Sequence, residues 1–391
     1  MKADVFKKGI LAAHLSRQDG GTVFSYAPDY LKADLPPVAT SLPLTDQPVF
    51  HAAGAVPPFF AGLLPEGRRL SVLRMAIKAS ADDELALLLA VGRDTVGDVQ
   101  VIPAGESPTA PVPLLELPAG DLSRVSLAEV LADTDYDRVA LPGVQDKLSG
   151  KVINLPGQRG TRSLLVKLDP PEYPHVTANE AAFLELARQS GLAVPEFELV
   201  HDRDQRPALL VTRFDRHSNG GALAMEDAAQ VLRLWPADKY NRSYEEAVAA
   251  LTRCTAAAPV ARLELFRQIT FAWLTGNGDL HAKNLAILEN RTTGEWQVSP
   301  AYDLPSTVPY GDLTLALDLA GSRDGVSRKK LIGFADTIGV PKRAAERAID
   351  QLLRRTRPVL SDLRTLDLPY GEQTMTRWQR ELDYRRRQLS G

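Results

Sequence analysis

A short polar segment, Gly278-Asp279-Leu280-His281-Ala282-Lys283-Asn284, follows the strongly apolar stretch from Val260 to Leu274. Asp279 and Asn284 lie five residues apart, and Asp303 follows in Tyr302-Asp303-Leu304-Pro305. One carboxylate can orient or deprotonate a hydroxyl, while an amide and a second carboxylate offer hard oxygen ligands. That set suits phosphoryl transfer with magnesium, a reaction that also needs a cation on the nucleotide phosphates. Lys167 ends the apolar run Leu164-Leu165-Val166-Lys167, and Glu180 stands on the next predicted helix as its natural ion-pair partner. Each residue alone has a plainer reading: Asp279, Asn284 and Asp303 as turn formers, Lys167 as a lysine that snorkels to water. His281 is more often a buried hydrogen-bonding residue than a catalyst, so beside Asp279 it takes an orienting role at most. Their order along the chain favours the chemistry: strand lysine, helix glutamate, loop pair, then aspartate.

The elements that must position these residues follow from periodicity and turn signals. Gly150 to Asn154 and Ser163 to Leu168 are predicted as a hairpin turned at Pro156, Gly157 and Gly160. Thr177-Ala178-Asn179-Glu180 has the form of a capping box opening a helix that stops near Gly191. Two more strands, Glu196 to His201 and Ala208 to Phe214, turn at Asp202-Arg203-Asp204. Two hairpins flanking one helix resemble the small lobe of a kinase, and the Asp279-to-Asn284 interval equals that of the kinase catalytic loop. After Asp227 the pattern is mainly helical. Ser243-Tyr244-Glu245-Glu246 is another capping box, a strand pair is expected at Leu285–Leu288 and Trp296–Ser299, and helices continue beyond Arg328. The segment Leu141 to Gly150, with Gln145 and Lys147, precedes the first small-lobe strand, where a phosphate-covering loop belongs. It matches neither the Walker nor the glycine-rich pattern.

Upstream, residues 1–110 are expected to form a separate mixed unit with a helix over Asp82 to Val91 and a strand over Gly97 to Ile102. Four prolines between Pro103 and Pro113 favour an extended connection. Residues 123–225 then make the small lobe and 226–391 the helical lobe. With 391 residues, 44% hydrophobic and 24% charged, the composition is that of a soluble globular protein. A net charge of -3 gives no global attraction to nucleic acid or to an anionic membrane. A single cysteine, Cys254, excludes a disulfide framework and fits a reducing compartment. The charged start Met1-Lys2-Ala3-Asp4 is not a signal peptide, and no apolar run approaches a membrane span, so a cytoplasmic location is expected.

Taken together, these residues resemble the HipA family of serine/threonine kinases, the toxins of bacterial toxin–antitoxin modules. The resemblance rests on Gly143-x-Gln145-x-Lys147, Lys167, Asn179-Glu180, Arg213-Phe214-Asp215-Arg216, Glu226-Asp227, Gly278 to Asn284 and Tyr302-Asp303. In the first unit it rests on Phe24 to Pro28, Ser41-Leu42-Pro43-Leu44, Leu63-Leu64-Pro65-Glu66 and Gly92-Arg93-Asp94-x-x-Gly97. It implies an α+β, two-lobed, protein-kinase-like fold with an extra N-terminal subdomain and a mainly helical C-terminal lobe. It implies ATP and Mg2+ as cofactors, Asp279 as catalytic base with His281 beside it, and Asn284 and Asp303 as metal ligands. Gln145, Lys147, Lys167, Glu180 and Lys283 fall to the nucleotide side. Implied partners are a HipB-like DNA-binding antitoxin and a protein substrate such as an aminoacyl-tRNA synthetase, glutamyl-tRNA synthetase first. Contact with DNA is expected through or beside the antitoxin, and none with a membrane. Ala140 stands where the family commonly carries a serine that is autophosphorylated to switch the kinase off. That switch cannot operate at an alanine, which is either native to this member or an introduced replacement.

Two other readings stay open at this point. A small-molecule kinase on the same fold would use the same Asp279 and Asn284. A non-catalytic corepressor subunit would use the C-terminal arginines Arg354, Arg355, Arg357, Arg377, Arg380, Arg385, Arg386 and Arg387 against DNA phosphates. The plainer account of that run is a solvated face paired with Glu372, Glu381 and Asp383.

Overall fold

The computed structural model describes residues 1–390 apart from 19, 81, 111–112, 114, 118–121, 123–124, 128, 130–152 and 218–220. The first unit is an antiparallel sheet of β1 (Lys2–Lys7), β2 (Ile10–Gln18), β3 (Gly21–Tyr26), β4 (Val49–Ala52) and β5 (Val99–Pro103), in the order β4-β3-β2-β1-β5. Its apolar face, with Val5, Leu15, Phe24 and Val101, packs on short helices α1 (Pro28–Lys32) and α2 (Pro58–Gly62) and on α4 (Glu84–Val91). Asp83 caps α4 by accepting from the Ala86 amide. Helix α3 (Gly67–Ile77) packs Leu70 and Leu73 against this core and Val72 against the core of the next unit.

The second sheet runs β6-β7-β8-β10-β9, from β6 (Leu115–Glu116), β7 (Ile153–Arg159), β8 (Arg162–Leu168), β9 (Phe197–His201) and β10 (Pro207–Thr212). Residues 150–152 of the expected first strand lie outside the described residues; β7 and β8 form a hairpin, but its turn moves. Pro156 and Gly157 lie inside β7, opposite Leu165 and Leu164, and the chain reverses at Gly160-Thr161. Pro156 sits just ahead of the two residues that pair with β6, where no ladder donor is required of it. Gly157 allows close approach, because a Cβ there would lie 2.9 Å from Val166 Cγ2.

Helix α5 (Val176–Gln189) follows, and its start corrects the expected capping box. Thr177 lies inside the first turn rather than ahead of it. The carboxylate of Asp169 accepts from the amides of His175 and Thr177, both at 2.8 Å. Glu180 cannot reach back to the helix start because Lys167 holds both of its oxygens. The buried face of α5 joins the large core of the C-terminal lobe, where Phe183 lies 5.7 Å from the ring of Trp378.

A third, three-stranded sheet is made of β11 (Met225–Asp227), β12 (Ala286–Glu289) and β13 (Trp296–Val298). Asp227 caps α6 (Ala228–Val231) in a reciprocal box with Gln230. The box at Ser243 and Glu246 opens α7 (Tyr244–Cys254) as its sequence predicts. Cys254 ends that helix half-buried, and burial pushes its thiol up, so it is no activated nucleophile. Helix α8 (Ala258–Thr275) is the apolar stretch seen in the sequence, and it leads directly into the polar loop. Helices α9 (Arg328–Thr337), α10 (Lys342–Leu360) and α11 (Glu372–Ser390) complete the lobe. Arg385 is buried there, 4.3 Å over the Trp273 ring and bonded to the Trp273 carbonyl and Glu381. It is thus withdrawn from any DNA-facing surface, and Arg377 and Arg355 bond the carbonyls of Pro309 and Gln189.

The join between α8 and the loop is sterically narrow. Gly276 has φ +69, and a Cβ there would lie 2.5 Å from Val308 Cγ2. Gly276→Ala is therefore expected to lower stability by at least about 1–2 kcal/mol, the left-handed cost alone. Urea unfolding should show a lower midpoint with an unchanged slope, and an unchanged midpoint would contradict this loop conformation.

Candidate active site

Strand β8 brings Lys167 in from the small lobe, almost wholly buried. Its ammonium donates to both carboxylate oxygens of Glu180 on α5, at 2.7 and 2.9 Å, and to Asp303 Oδ1 at 2.9 Å. Burial works against the ammonium charge, but Asp303 and Glu180 outweigh it and raise Lys167 above its ordinary value. Glu180 moves up to about 7, because burial and the nearby Asp303 act against Lys167. Asp303 moves down: burial opposes its charge, and Lys167 more than compensates.

Asp303 also accepts from Asn284 Nδ2 at 3.1 Å, and that same amide donates to the Asp279 carbonyl at 2.9 Å. Both hydrogens of the Asn284 amide are thus engaged, which leaves its oxygen as the atom suited to a cation. The Asp303 backbone is left-handed at φ 57, an unfavourable state for a residue with a Cβ. It is held there by its two carboxylate bonds and by Asn277 Nδ2, which donates to its carbonyl at 3.3 Å. Among the described residues no group of three His, Cys, Asp or Glu side chains gathers to hold a metal. One carboxylate and one amide oxygen fit magnesium instead, which keeps waters and takes phosphate oxygens as its other ligands.

Asp279 is buried, with its amide donating to Asn277 Oδ1 at 2.8 Å and its Oδ1 accepting from Tyr240 OH at 2.9 Å. The loop is packed tightly behind it. Gly278 donates its amide to Thr307 Oγ1, and a Cβ on it would lie 2.5 Å from the Thr314 carbonyl. His281 is buried edge-on against Tyr240, with ring centroids 5.0 Å apart. Burial, with Lys239 adding, lowers its pKa to about 3. It stays neutral at physiological pH and supports the Tyr240 ring that orients Asp279.

Lys167, Glu180 and Asp303 form part of the lining of a cavity of about 270 Å³. The apolar part of the lining includes Leu165, Val211, Phe214, Met225 and Tyr302, with Phe214 and Tyr302 paired at 5.6 Å between centroids. An apolar slot beside a charged cluster is the form of a site for a base carrying phosphates.

Residues 3–102 match the HipA N-terminal domain and residues 139–360 the HipA-like C-terminal domain. A Sinorhizobium fredii protein that carries the name of a kinase, Y4dM, is 35% identical over 340 residues, 78% of this chain and 77% of that one. The chain belongs to the HipA family. The serine/threonine-protein kinase toxin HipA of Shewanella oneidensis is 26% identical over 348 residues, covering 80% of this chain and 78% of its own. The solved complex of Shewanella oneidensis HipA, HipB and operator DNA matches with a TM-score of 0.78 and 21% identity, over 100% of this chain and 97% of that chain. The α+β, kinase-like architecture is therefore the HipA fold.

Within this fold the family's N-terminal motifs meet its kinase motifs. Asp94 and the carbonyls of Thr95 and Gly97 receive Arg213 and Arg216, while Gly97 donates its amide to Asp215 at 2.9 Å. Burial would raise the Asp215 carboxyl, but the two arginines hold it down at about 2. Thr40 donates through its amide and its hydroxyl to Glu226, at 2.8 and 2.7 Å. Glu66 bridges Lys239 and Lys283, the latter at 2.8 Å. Lys283, placed by its motif on the nucleotide side, instead bonds Glu66 and the Gly62 carbonyl and faces the N-terminal domain. Gln145, Lys147 and Ala140 lie outside the described residues. Tyr240 and Asn277 escape sequence reasoning, and Glu66 enters it only within the motif Leu63-Leu64-Pro65-Glu66, with no role assigned: Tyr240 and Glu66 are distant in sequence from the loop they serve, and Asn277 reads as an ordinary turn residue.

Glu66 gives this arrangement a pH signature. Burial raises its carboxyl, but Lys283 and Lys239 outweigh burial and hold it at about 2, below the ordinary 4.5. A carboxyl depressed in the folded state stabilises above its ordinary value and loses that contribution as pH falls through the folded one. The shift corresponds to roughly 3 kcal/mol at neutral pH. Glu66→Gln should therefore unfold more easily in urea at neutral pH and show a flatter loss of stability between about 4.5 and about 2. Superimposed pH profiles for the two proteins would exclude the bridge.

Proposed function

We propose that this HipA-family chain is an ATP- and Mg2+-dependent serine/threonine protein kinase that acts as a toxin in the cytoplasm. The observation that carries the reading is the bridging of Lys167 to Glu180 and Asp303, with Asp303 linked through Asn284 to the Asp279 backbone. In this reading Asp279, oriented by Tyr240, aligns the acceptor hydroxyl and takes its proton. Asn284 and Asp303 would hold magnesium, and the charge neutralisation it supplies when bound would favour phosphoryl transfer. Lys167 contacts the nucleotide phosphates and Glu180 keeps it in place. His281 supports Tyr240. By family resemblance Gln145 and Lys147 belong to the loop over the phosphates. The acceptor favoured by resemblance is an aminoacyl-tRNA synthetase, glutamyl-tRNA synthetase first, whose modification halts translation and arrests growth or drives persistence. The solved relative assembled with HipB and operator DNA supports a HipB-like antitoxin as the partner, with DNA reached through it.

The test is phosphate transfer from labelled ATP to a panel of purified aminoacyl-tRNA synthetases. Wild type with magnesium should label one of them on serine or threonine, and chelation of the metal should abolish the signal. Asp279→Asn should lower the rate by about 10²–10⁴-fold, the range of general-base contributions. Labelling that persists at the wild-type rate in Asp279→Asn would remove Asp279 from the mechanism. A panel left unlabelled by wild type would overturn the synthetase assignment.

A further inference from the structure

We propose that Arg69, carried by the N-terminal domain, is a phosphate-binding residue of the nucleotide cleft. The proposal rests on the kinase reading and adds to it a residue from outside both kinase lobes.

Arg69 lines the same cavity as Lys167, Glu180 and Asp303. Three described cations line that cavity, Arg69, Lys167 and Arg213, against four carboxylates, Asp94, Glu180, Asp215 and Asp303. Lys167 is committed to Glu180 and Asp303, and Arg213 to Asp94 and Asp215. Among the described residues Arg69 forms no hydrogen bond or ion pair, and it is the one uncommitted cation of the described lining. A nucleoside triphosphate brings several negative charges into a lining whose formal charges sum below zero. A guanidinium without a protein partner meets that demand, and its planar fork matches phosphate oxygens.

The position of Arg69 is fixed from both sides. Glu66, the residue that precedes α3, is gripped by Lys283 of the polar loop and by Lys239. Val72, three residues beyond Arg69, packs against the small-lobe core of β7 and β8. Arg69 lies between these anchors, in the first turn of α3. A cation in a first helical turn opposes the helix dipole. An anion bound at Arg69 relieves that local conflict, and no described protein group does so.

The experiment measures equilibrium binding of a non-hydrolysable ATP analogue with magnesium, and of adenosine, to wild type, Arg69→Ala and Arg69→Lys. Thermal unfolding is recorded for each. Arg69→Ala should weaken binding of the ATP analogue at least about tenfold, the loss of one charge-assisted hydrogen bond. Adenosine binding should not change, and Arg69→Lys should restore part of the analogue affinity. Equal affinity of wild type and Arg69→Ala for the analogue would overturn the proposal and leave the kinase reading intact. A parallel loss of analogue and adenosine binding would make Arg69 a structural residue and also overturn it. A wild-type protein that binds neither ligand would sink the kinase reading and this proposal together.

Discussion

A lysine ammonium withdrawn from water has to be matched by charge, and Lys167 is matched twice. Its desolvation costs several kcal/mol unless carboxylates surround it, and removing one partner of such a group is far more damaging than never having built it. Glu180 comes from α5 and Asp303 from the loop after β13, so one charge balance ties three separate segments together. The unfavourable left-handed backbone of Asp303 is one consequence. In that conformation the carboxylate meets both Lys167 and Asn284, and the surrounding hydrogen bonds hold it there.

The same balance limits how the lobes move. Asn179, next to Glu180, exchanges two hydrogen bonds with the backbone of Ser306, both at 2.9 Å, and it is fully buried. Phe183, one turn on, is in the C-terminal core beside Trp378. Helix α5 therefore belongs to the small lobe through Glu180 and to the large lobe through Asn179 and Phe183. Moving it outward would break the lysine cluster, expose an apolar ring and strand a buried amide at once. The N-terminal domain adds to this rigidity. It meets the kinase lobes at charged or polar groups that are largely buried, at Asp94 to Gly97, at Thr40 and at Glu66, and paired buried charges tolerate little displacement.

What the sequence discloses of this follows the range of each interaction. The capping box at Ser243 and Glu246 involves groups three residues apart, so its pattern survives in the chain as written. The apolar run of α8 and the order of Lys167, Glu180, Asp279, Asn284 and Asp303 are legible for a similar reason, since residue type and sequence order carry them. The box expected at Thr177 fails because a distant lysine claims Glu180, and no local pattern records a competitor thirteen residues upstream in another element. Pro156 and Gly157 mislead in the same way, because their tolerance inside β7 depends on where β6 ends and how close Val166 comes. The contacts of Glu66 and Thr40 cross more than 150 residues of sequence. Glu66 and Glu226 stand in family motifs whose purpose the chain alone does not state, and Thr40 stands in none of them.

The polar loop itself shows how closely chemistry and scaffolding interleave. Asp279 and Asn284 are linked on the side where Asp303 and Lys167 stand. The residues between them are bound elsewhere. The Leu280 carbonyl accepts from Tyr244 at 3.0 Å, His281 backs Tyr240, and the side chain of Lys283 reaches Glu66 while its carbonyl accepts from Tyr302 at 2.7 Å. A short loop cannot hold a carboxylate in place by its own stiffness, so the intervening residues are fastened to other segments of the chain. The cost of that solution is that the N-terminal domain becomes part of the loop's support. A kinase lobe built this way is complete only with the residues that precede it in the chain.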